Sequence, residues 1–317
     1  MSKIFRTAVG LSVMSAMLVA PSPADAATPA QDRQVAYVRA GDIYISSGAT
    51  ERRVTTGGRH SRPRWSPDGR RIAFVRAGML WIMNADGGGK RRLTTRPAGG
   101  PAWSPDSRWI AFASTGCNGG QGVYRISTAT RPATEALFPV ECRDQALPAP
   151  PPVPRPATGT LAERLRRDNA VAWSPNGRSI VFRGGECEGI YDDCLTLGDV
   201  ATGRERALAA YGGGGQDYSG FAVVPSYRRD GLKITWTAFQ EGHDDATTFD
   251  IHVVEYDPAR RTVRRIGVDQ DREMVYESSG RGLATSLYRG SSWVVAINLT
   301  RGTRTPLYRG SQPSIRP

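Results

Sequence analysis

The chain has 317 residues and a formal net charge of +12, and nearly all of its basic residues are arginine because only three lysines occur. This length suits one large all-β domain or two ordinary domains. Arginine-rich composition without interleaved surface aromatics argues against a nucleic-acid-binding protein. We expect the basic surface to meet an anionic partner such as a cell-wall polymer, although codon bias alone also produces this composition.

The first 26 residues have the pattern of a secretory signal peptide. Lys3 and Arg6 precede an apolar run over residues 8–20, and Ala24-Asp25-Ala26 matches the A-x-A cleavage pattern. We expect cleavage near Ala26 and a secreted, periplasmic or cell-envelope location, with an N-terminal membrane anchor as the alternative. No cysteine stands at the cleavage site, and no other apolar run reaches the ~20 residues of a spanning helix, so we expect no integral membrane protein.

Three copies of one pattern follow the signal segment. They read W-S-P-D-G at 65–69, W-S-P-D-S at 103–107 and W-S-P-N-G at 173–177, each followed by an I-A-F or I-V-F run. Proline, Asp or Asn, and glycine in this order are typical of a turn between two strands. We therefore expect Asp68, Asp106 and Asn176 to shape turns.

Two further strands follow each copy, which makes a unit of four antiparallel strands in about 40 residues, as in a propeller blade. Weaker copies place Tyr227 and Tyr276 where the tryptophan stands. The last stretch, 311–317, supplies only a first strand ending at Ile315, whereas residues 34–39, 42–46 and 53–55 supply strands two, three and four. The two ends are therefore predicted to share a blade and close a ring of six.

These repeats resemble the PD40, or WD40-like, repeat of TolB-type propellers. The resemblance covers essentially the whole mature chain, strongly in the first three units and weakly beyond. It implies an all-β, six-bladed β-propeller over residues 27–317 that serves as an interaction module of the cell envelope. TolB proteins also carry an N-terminal α/β domain, and residues 27–34 leave no room for one here.

Four cysteines in an exported chain predict two disulfides. The third and fourth strands of the second unit are predicted at 123–127 and 135–140, which places Cys117 and Cys142 at one end of these neighbouring strands. Cys187 and Cys194 flank one hairpin of the third unit. We therefore expect the pairs Cys117–Cys142 and Cys187–Cys194. Their spacing and the lack of histidine partners argue against a zinc site. The segment at about 143–168 is a proline-rich insertion, with a short helical stretch predicted within 160–168.

Loops from strand two to three, and from one blade to the next, lie on one face of a propeller, which we call the top face. Acidic and histidine residues of these loops predict a binding surface for a basic partner or a cation such as calcium: His60, Glu186, Glu188, Asp192, Asp193, Glu241, His243, Asp244 and Asp245. Solvated loop acids without a role are the alternative. The opposite bottom face collects basic residues: Arg70, Arg71, Lys90, Arg91, Arg92, Arg178, Arg228 and Arg229.

The sequence contains little that predicts catalysis. There is no G-x-S-x-G motif, only three histidines occur, and a catalytic metal needs about three converging ligands. We therefore expect a monomeric, non-catalytic protein without a cofactor that binds an envelope or extracellular protein at its top face. The alternative is a carbohydrate-active or metal-dependent lyase or hydrolase working in the top-face channel mouth. Some relatives of the TolB-type propellers, such as the oligogalacturonate lyases, use channel histidines around a metal, but a single channel histidine, His60, does not make that cluster here.

Overall fold

The computed structural model of the chain describes residues 33–150, 152, 161–185, 192–212, 219–241 and 249–317. The described residues form six antiparallel sheets of four strands each, which confirms the predicted six-bladed propeller. The proposed signal peptide at 1–26 lies outside the described residues. No helix in the described part of the chain is long and apolar enough to cross a membrane.

The described strands alternate with short turns along the whole chain. In chain order they are β1 (Val35–Arg39), β2 (Asp42–Ser47), β3 (Thr50–Arg53), β4 (His60–Trp65), β5 (Arg71–Arg76), β6 (Met79–Asn84), β7 (Arg91–Pro97), β8 (Ala102–Trp103), β9 (Trp109–Thr115), β10 (Gln121–Ser127), β11 (Thr134–Phe138), β12 (Ala172–Trp173), β13 (Ser179–Arg183), β14 (Asp192–Asp199), β15 (Glu205–Gly212), β16 (Ser219–Tyr227), β17 (Ile234–Glu241), β18 (Phe249–Asp257), β19 (Thr262–Ile266), β20 (Asp271–Ser278), β21 (Arg281–Tyr288), β22 (Ser291–Asn298), β23 (Thr303–Arg309) and β24 (Ser311–Ile315).

Each blade takes four consecutive strands except the one that closes the ring. Blades 1 to 5 are β4–β7, β8–β11, β12–β15, β16–β19 and β20–β23, and blade 6 has the order β24-β1-β2-β3. The blades of a propeller surround a central channel, and the first strand of each blade is the innermost one, next to that channel. One helix, α1 (Leu161–Arg166), lies between blades 2 and 3, within the stretch predicted to be helical.

The repeated W-S-P-D motif forms the turn between the first two strands of a blade. In blade 1, the Ser66 amide donates to the Arg71 carbonyl at 2.9 Å and the Gly69 amide to the Ser66 carbonyl at 2.9 Å. The Asp68 carboxylate accepts the Ser66 hydroxyl at 2.6 Å and the Arg70 amide at 3.0 Å. Gly69 has a φ of 67°, which favours glycine. The motif therefore shapes a turn, as predicted.

The core lies between neighbouring blades. Phe74 of blade 1 packs with Ile43 of blade 6, and Phe182 of blade 3 packs with Val123 of blade 2. Both phenylalanines are at most 1% exposed, and full burial of such a side chain contributes roughly 1.5–3 kcal/mol. Contacts of this kind hold the blades to one another, since each sheet must cover its apolar faces with its neighbours.

The two ends of the chain complete blade 6. Strand β24 pairs with β1, with Val35 opposite Ile315 and Ala36 opposite Ser314. The Arg316 amide donates to the Gln34 carbonyl at 2.9 Å beyond the strands. The prediction that the C-terminal strand joins the N-terminal strands is confirmed.

Two predicted strand ends are wrong by a few residues. The last strand of blade 6 is predicted at 53–55, but β3 ends at Arg53. The Val54 amide still donates to the Ile43 carbonyl at 2.9 Å, but the Ile43 amide donates to the Thr55 hydroxyl oxygen at 2.8 Å instead of to a backbone carbonyl. The fourth strand of blade 2 was expected to reach residue 140, but β11 ends at Phe138. Pro139 follows without an N–H to continue the ladder, and a 3₁₀ turn begins there.

The predicted disulfide between Cys117 and Cys142 is present, with a Cα–Cα distance of 5.5 Å. Cys142 lies in the 3₁₀ turn at Val140–Cys142, which follows β11. Cys194 is also disulfide-bonded. Its predicted partner, Cys187, lies outside the described residues, as do residues 151 and 153–160 of the proline-rich insertion.

Candidate functional site

Most of the top-face residues predicted to bind a partner lie outside the described residues, namely Glu186, Glu188, His243, Asp244 and Asp245. Asp192 begins β14 and Glu241 ends β17. Within the described residues, no group of three or more His, Cys, Asp and Glu side chains is arranged to hold a metal ion. Calcium binding by the loops therefore stays a prediction.

Asp193 is the one predicted carboxylate of this surface whose contacts the structure describes. The Arg183 Nε donates to its Oδ1 at 2.7 Å, and both residues belong to adjacent strands of blade 3. Burial raises the pKa of Asp193, and the Arg183 charge opposes that effect. Asp193 is thus engaged in an ion pair inside its own blade.

His60 begins β4 on the top face, and its side chain is directed between two blades. It is 5% exposed, and its Nδ1 lies 3.1 Å from the Asp42 Oδ1 of blade 6. Its ring packs on Phe74 with centroids 5.8 Å apart. Burial lowers the pKa of His60 despite the Asp42 charge. His60 therefore joins blades 6 and 1.

A cluster of ion-paired side chains lies on the axis of the ring. The cluster was not predicted from the sequence. The Arg62 Nε of β4 donates to the Asp168 Oδ2 at 2.6 Å, and its Nη1 donates to the Glu273 Oε2 of β20. The Arg62 amide donates to the Gln312 Oε1 of β24 at 2.6 Å. A Cβ at Gly100, just before β8, would lie 3.0 Å from the Arg62 Cγ. Residues of blades 1, 2, 5 and 6 thus meet at one point.

The channel is occluded at the level of this cluster. Arg62 and Glu273 are each 3% exposed. Burial alone would raise the pKa of Glu273, but the Arg62 charge and hydrogen bonds hold it below its usual range. Burial alone would lower the pKa of Arg62, but Asp168 and Glu273 raise it. Glu273 is therefore held in its ionised form, and both carboxylates are engaged by the Arg62 guanidinium. A carboxylate held in this way is poorly suited to general acid–base catalysis.

A signal for this cluster exists in the repeats. Arg62 and Glu273 stand three residues before Trp65 and Tyr276, at the same repeat position. The other blades carry glycine, alanine, valine and glutamine there, as Gly100, Ala170, Val224 and Gln312. When the copies are compared at this one position, Arg62 and Glu273 are its only charged residues, and they have opposite charges.

Below the cluster, the channel opens into a cavity of about 430 Å³ on the bottom face. Its walls are the aromatic residues that end innermost strands, with the prolines of the following turns: Trp65, Trp103, Trp173, Tyr227, Pro67, Pro105 and Pro175. Arg64 also lines the cavity. Burial, together with the positive charge of Arg62, lowers the pKa of Arg64 to about 10.

Comparisons with known proteins were made for the sequence and for the fold. The sequence matches no protein-family model and no curated protein significantly. The fold is similar to the crystal structure of TolB from Acinetobacter baumannii, with a TM-score of 0.63 and 16% identity over 90% of this chain and 67% of that one.

Two further solved structures share the fold. Putative TolB from Agrobacterium tumefaciens has a TM-score of 0.57 and 17% identity over 89% of this chain and 91% of that one. A chain of a nidogen/laminin complex has a TM-score of 0.59 and 9% identity over 90% and 98%. With its six blades and its W-S-P-D turns, this chain is a six-bladed β-propeller with the fold of the TolB-type propellers.

Proposed function

We propose that this protein is an exported β-propeller that binds a partner protein of the cell envelope and does not catalyse a reaction. The observation that carries the proposal is the occluded cluster of Arg62, Asp168 and Glu273. A propeller enzyme that works in its channel needs free acid–base groups or a metal with about three ligands there. In the described part of the channel, the Asp168 and Glu273 carboxylates both accept hydrogen bonds from the Arg62 guanidinium, which supports binding over turnover.

The top face is the side on which we propose that the partner docks. The bottom face repeats one turn design, whereas the top face carries the Cys117–Cys142 bridge and the proline-rich insertion. Loops held by a rigid scaffold and different from one repeat to the next are where propellers place binding residues. The disulfide supports an oxidising compartment outside the cytoplasm. Acidic loops near Asp192 and Asp244 would attract a basic protein surface, with calcium as an additional ligand.

The test is a pull-down from envelope extract with purified protein, comparing charge reversal on the two faces. Variant D192R/D244R/D245R changes the proposed surface, and R92E/R178E on the bottom face is the matched control, since both arginines are exposed. We expect the first variant to lose its specific partner and the control to keep it. A parallel pull-down with a calcium chelator reports whether a cation takes part. Unchanged partners after reversal at the acidic loops would contradict docking at the top face.

A further inference from the structure

The bottom-face cavity holds an arginine, Arg64, that has no carboxylate at ion-pair distance among the described residues. Arg62 and Arg64 lie two residues apart on β4, and Arg62 takes both nearby carboxylates. The remaining acceptor of Glu273 is also used, since its Oε1 receives the Thr285 hydroxyl at 2.7 Å and the Gln312 amide at 2.7 Å. Arg64 donates from Nη1 to the Pro63 carbonyl at 3.0 Å. No carboxylate in the described part of the chain forms an ion pair with it.

The surroundings of Arg64 are apolar and positively charged. The described lining contains no Asp or Glu, and Arg229 adds a second cation at the rim. Outside the lining, the guanidinium carbons of Arg71 and Arg316 lie 5.1 Å from the ring centroids of Trp103 and Trp65, respectively. An arginine that is half-buried, open to a cavity and without an ion-pair partner is costly unless an anion reaches it. Burial and the positive charge of Arg62 lower the pKa of Arg64, although the charges of Glu273 and Asp168 oppose that effect.

The shape and chemistry of the cavity restrict what that anion is. A guanidinium presents a planar pair of N–H donors that matches a carboxylate. A cavity of about 430 Å³ falls in the size range of small-ligand sites. Its walls are indole, phenol and proline rings, which suit a flat apolar body. The only side-chain hydroxyls in the described lining belong to Ser174, Ser226 and Tyr227, too few to satisfy a sugar.

We propose that the bottom mouth of the channel is a binding site for a small carboxylate carried on an apolar ring, with Arg64 as the residue that recognises the carboxylate. The aromatic side chains that end the innermost strands would hold the ring. This site goes beyond the proposed function, because it lies on the opposite face from the acidic loops. The test of this site does not depend on whether a partner protein binds the top face.

Calorimetry and ligand-observed NMR on the full mature protein test the site with indole-3-acetate as the probe. Indole-3-acetamide has the same ring without the charge, glucuronate has the charge on a hydroxylated ring, and inorganic phosphate has the charge alone. We expect indole-3-acetate to bind at least tenfold more tightly than each of the other three. Equal binding of the acid and the amide, or no binding of the acid at millimolar concentration, would overturn the proposal. Preference for glucuronate or phosphate would overturn the ligand class.

Variants at Arg64 assign the charge recognition. R64Q is expected to weaken indole-3-acetate binding at least tenfold, and R64K to weaken it less, because lysine keeps the charge but loses the planar pair of donors. R92Q is the matched control, since Arg92 is an exposed bottom-face arginine outside the cavity. The affinity of the R92Q protein for indole-3-acetate should stay within twofold of the wild-type value.

R64Q is also expected to fold with at least the wild-type melting temperature, because it removes a half-buried cation that has no ion-pair partner among the described residues. A folded R64Q protein that binds the probe as the wild type does would place recognition elsewhere and overturn the assignment of Arg64.

Discussion

Arg62 shows how one side chain can depend on residues from all round the ring. Its guanidinium is nearly inaccessible, and its two carboxylate partners come from the segment before blade 3 and from blade 5. Charges of this kind are expensive to remove from water and are tolerated only when paired and hydrogen-bonded. Removing one partner therefore costs much more than a surface ion pair is worth.

The variant E273Q tests this cost. Loss of the Glu273 charge leaves Arg62 with Asp168 alone, and we expect the free energy of unfolding to fall by roughly 3 kcal/mol, measured by urea denaturation. E277Q is the control on the same strand, since Glu277 faces Arg33 at 3.9 Å and Arg33 is half exposed; we expect a change below about 1 kcal/mol. Equal effects of the two substitutions would mean that Asp168 alone compensates Arg62.

At the scale of the element, the blade turns are stabilised by local hydrogen bonds, whereas the disulfide is a covalent link between residues distant in sequence. The W-S-P-D turn is set by hydrogen bonds among neighbours, such as the Ser66 hydroxyl to the Asp68 carboxylate, and recurs as Ser104 to Asp106 at 2.5 Å. The Cys117–Cys142 bridge instead joins residues 25 positions apart. It ties the loop between β9 and β10 to the 3₁₀ turn after β11, and so restrains the top of blade 2.

Removal of this bridge in C117A/C142A should lower the free energy of unfolding by about 3 kcal/mol, because the unfolded chain regains the freedom of the closed loop. Thermal or denaturant unfolding of the oxidised proteins measures the difference. Under reducing conditions the wild type loses the same bridge, so the two proteins should then unfold together. A difference that persists in reductant would trace the effect to packing of the cysteine side chains.

For the whole molecule, stability rests on closure of the ring. Strand β24 covers the inner edge of β1, and Ile315 joins the apolar cluster that contains Val35 and Leu283. The Ser314 hydroxyl also accepts the Trp65 amide at 3.0 Å, which ties blade 6 to blade 1. Without this strand the sheet has an open edge, which is prone to pair with other chains.

A chain that ends at Gly310 is therefore expected to melt at a markedly lower temperature and to self-associate. Circular dichroism during heating and light scattering after size-exclusion chromatography measure both effects. Removal of Pro317 alone is the control, because it leaves β24 and its ladder in place. A truncated protein that stays monomeric with the wild-type melting temperature would show that the remaining blades hold the ring without this strand.

The sequence by itself determined the architecture: the six blades, the turns shaped by Asp68 and its equivalents, the shared blade and the Cys117–Cys142 pair. These features depend on local turn chemistry and on repeat spacing, both of which are visible along the chain. The strand ends were less accurate. The Thr55 hydroxyl accepts the Ile43 amide just after β3, and Pro139 has no N–H to extend β11. Neither effect is visible in the hydrophobic periodicity.

Only the tertiary structure decided what lies on the axis. Arg62 is 106 residues from Asp168 and 211 from Glu273, and the innermost strands bring them together only when the ring closes. The same closure brings Arg64 to the floor of an apolar cavity, where no carboxylate of the described residues forms an ion pair with it. Charge pairing on the axis depends on side chains from several blades at once, so no single repeat contains the information that predicts it.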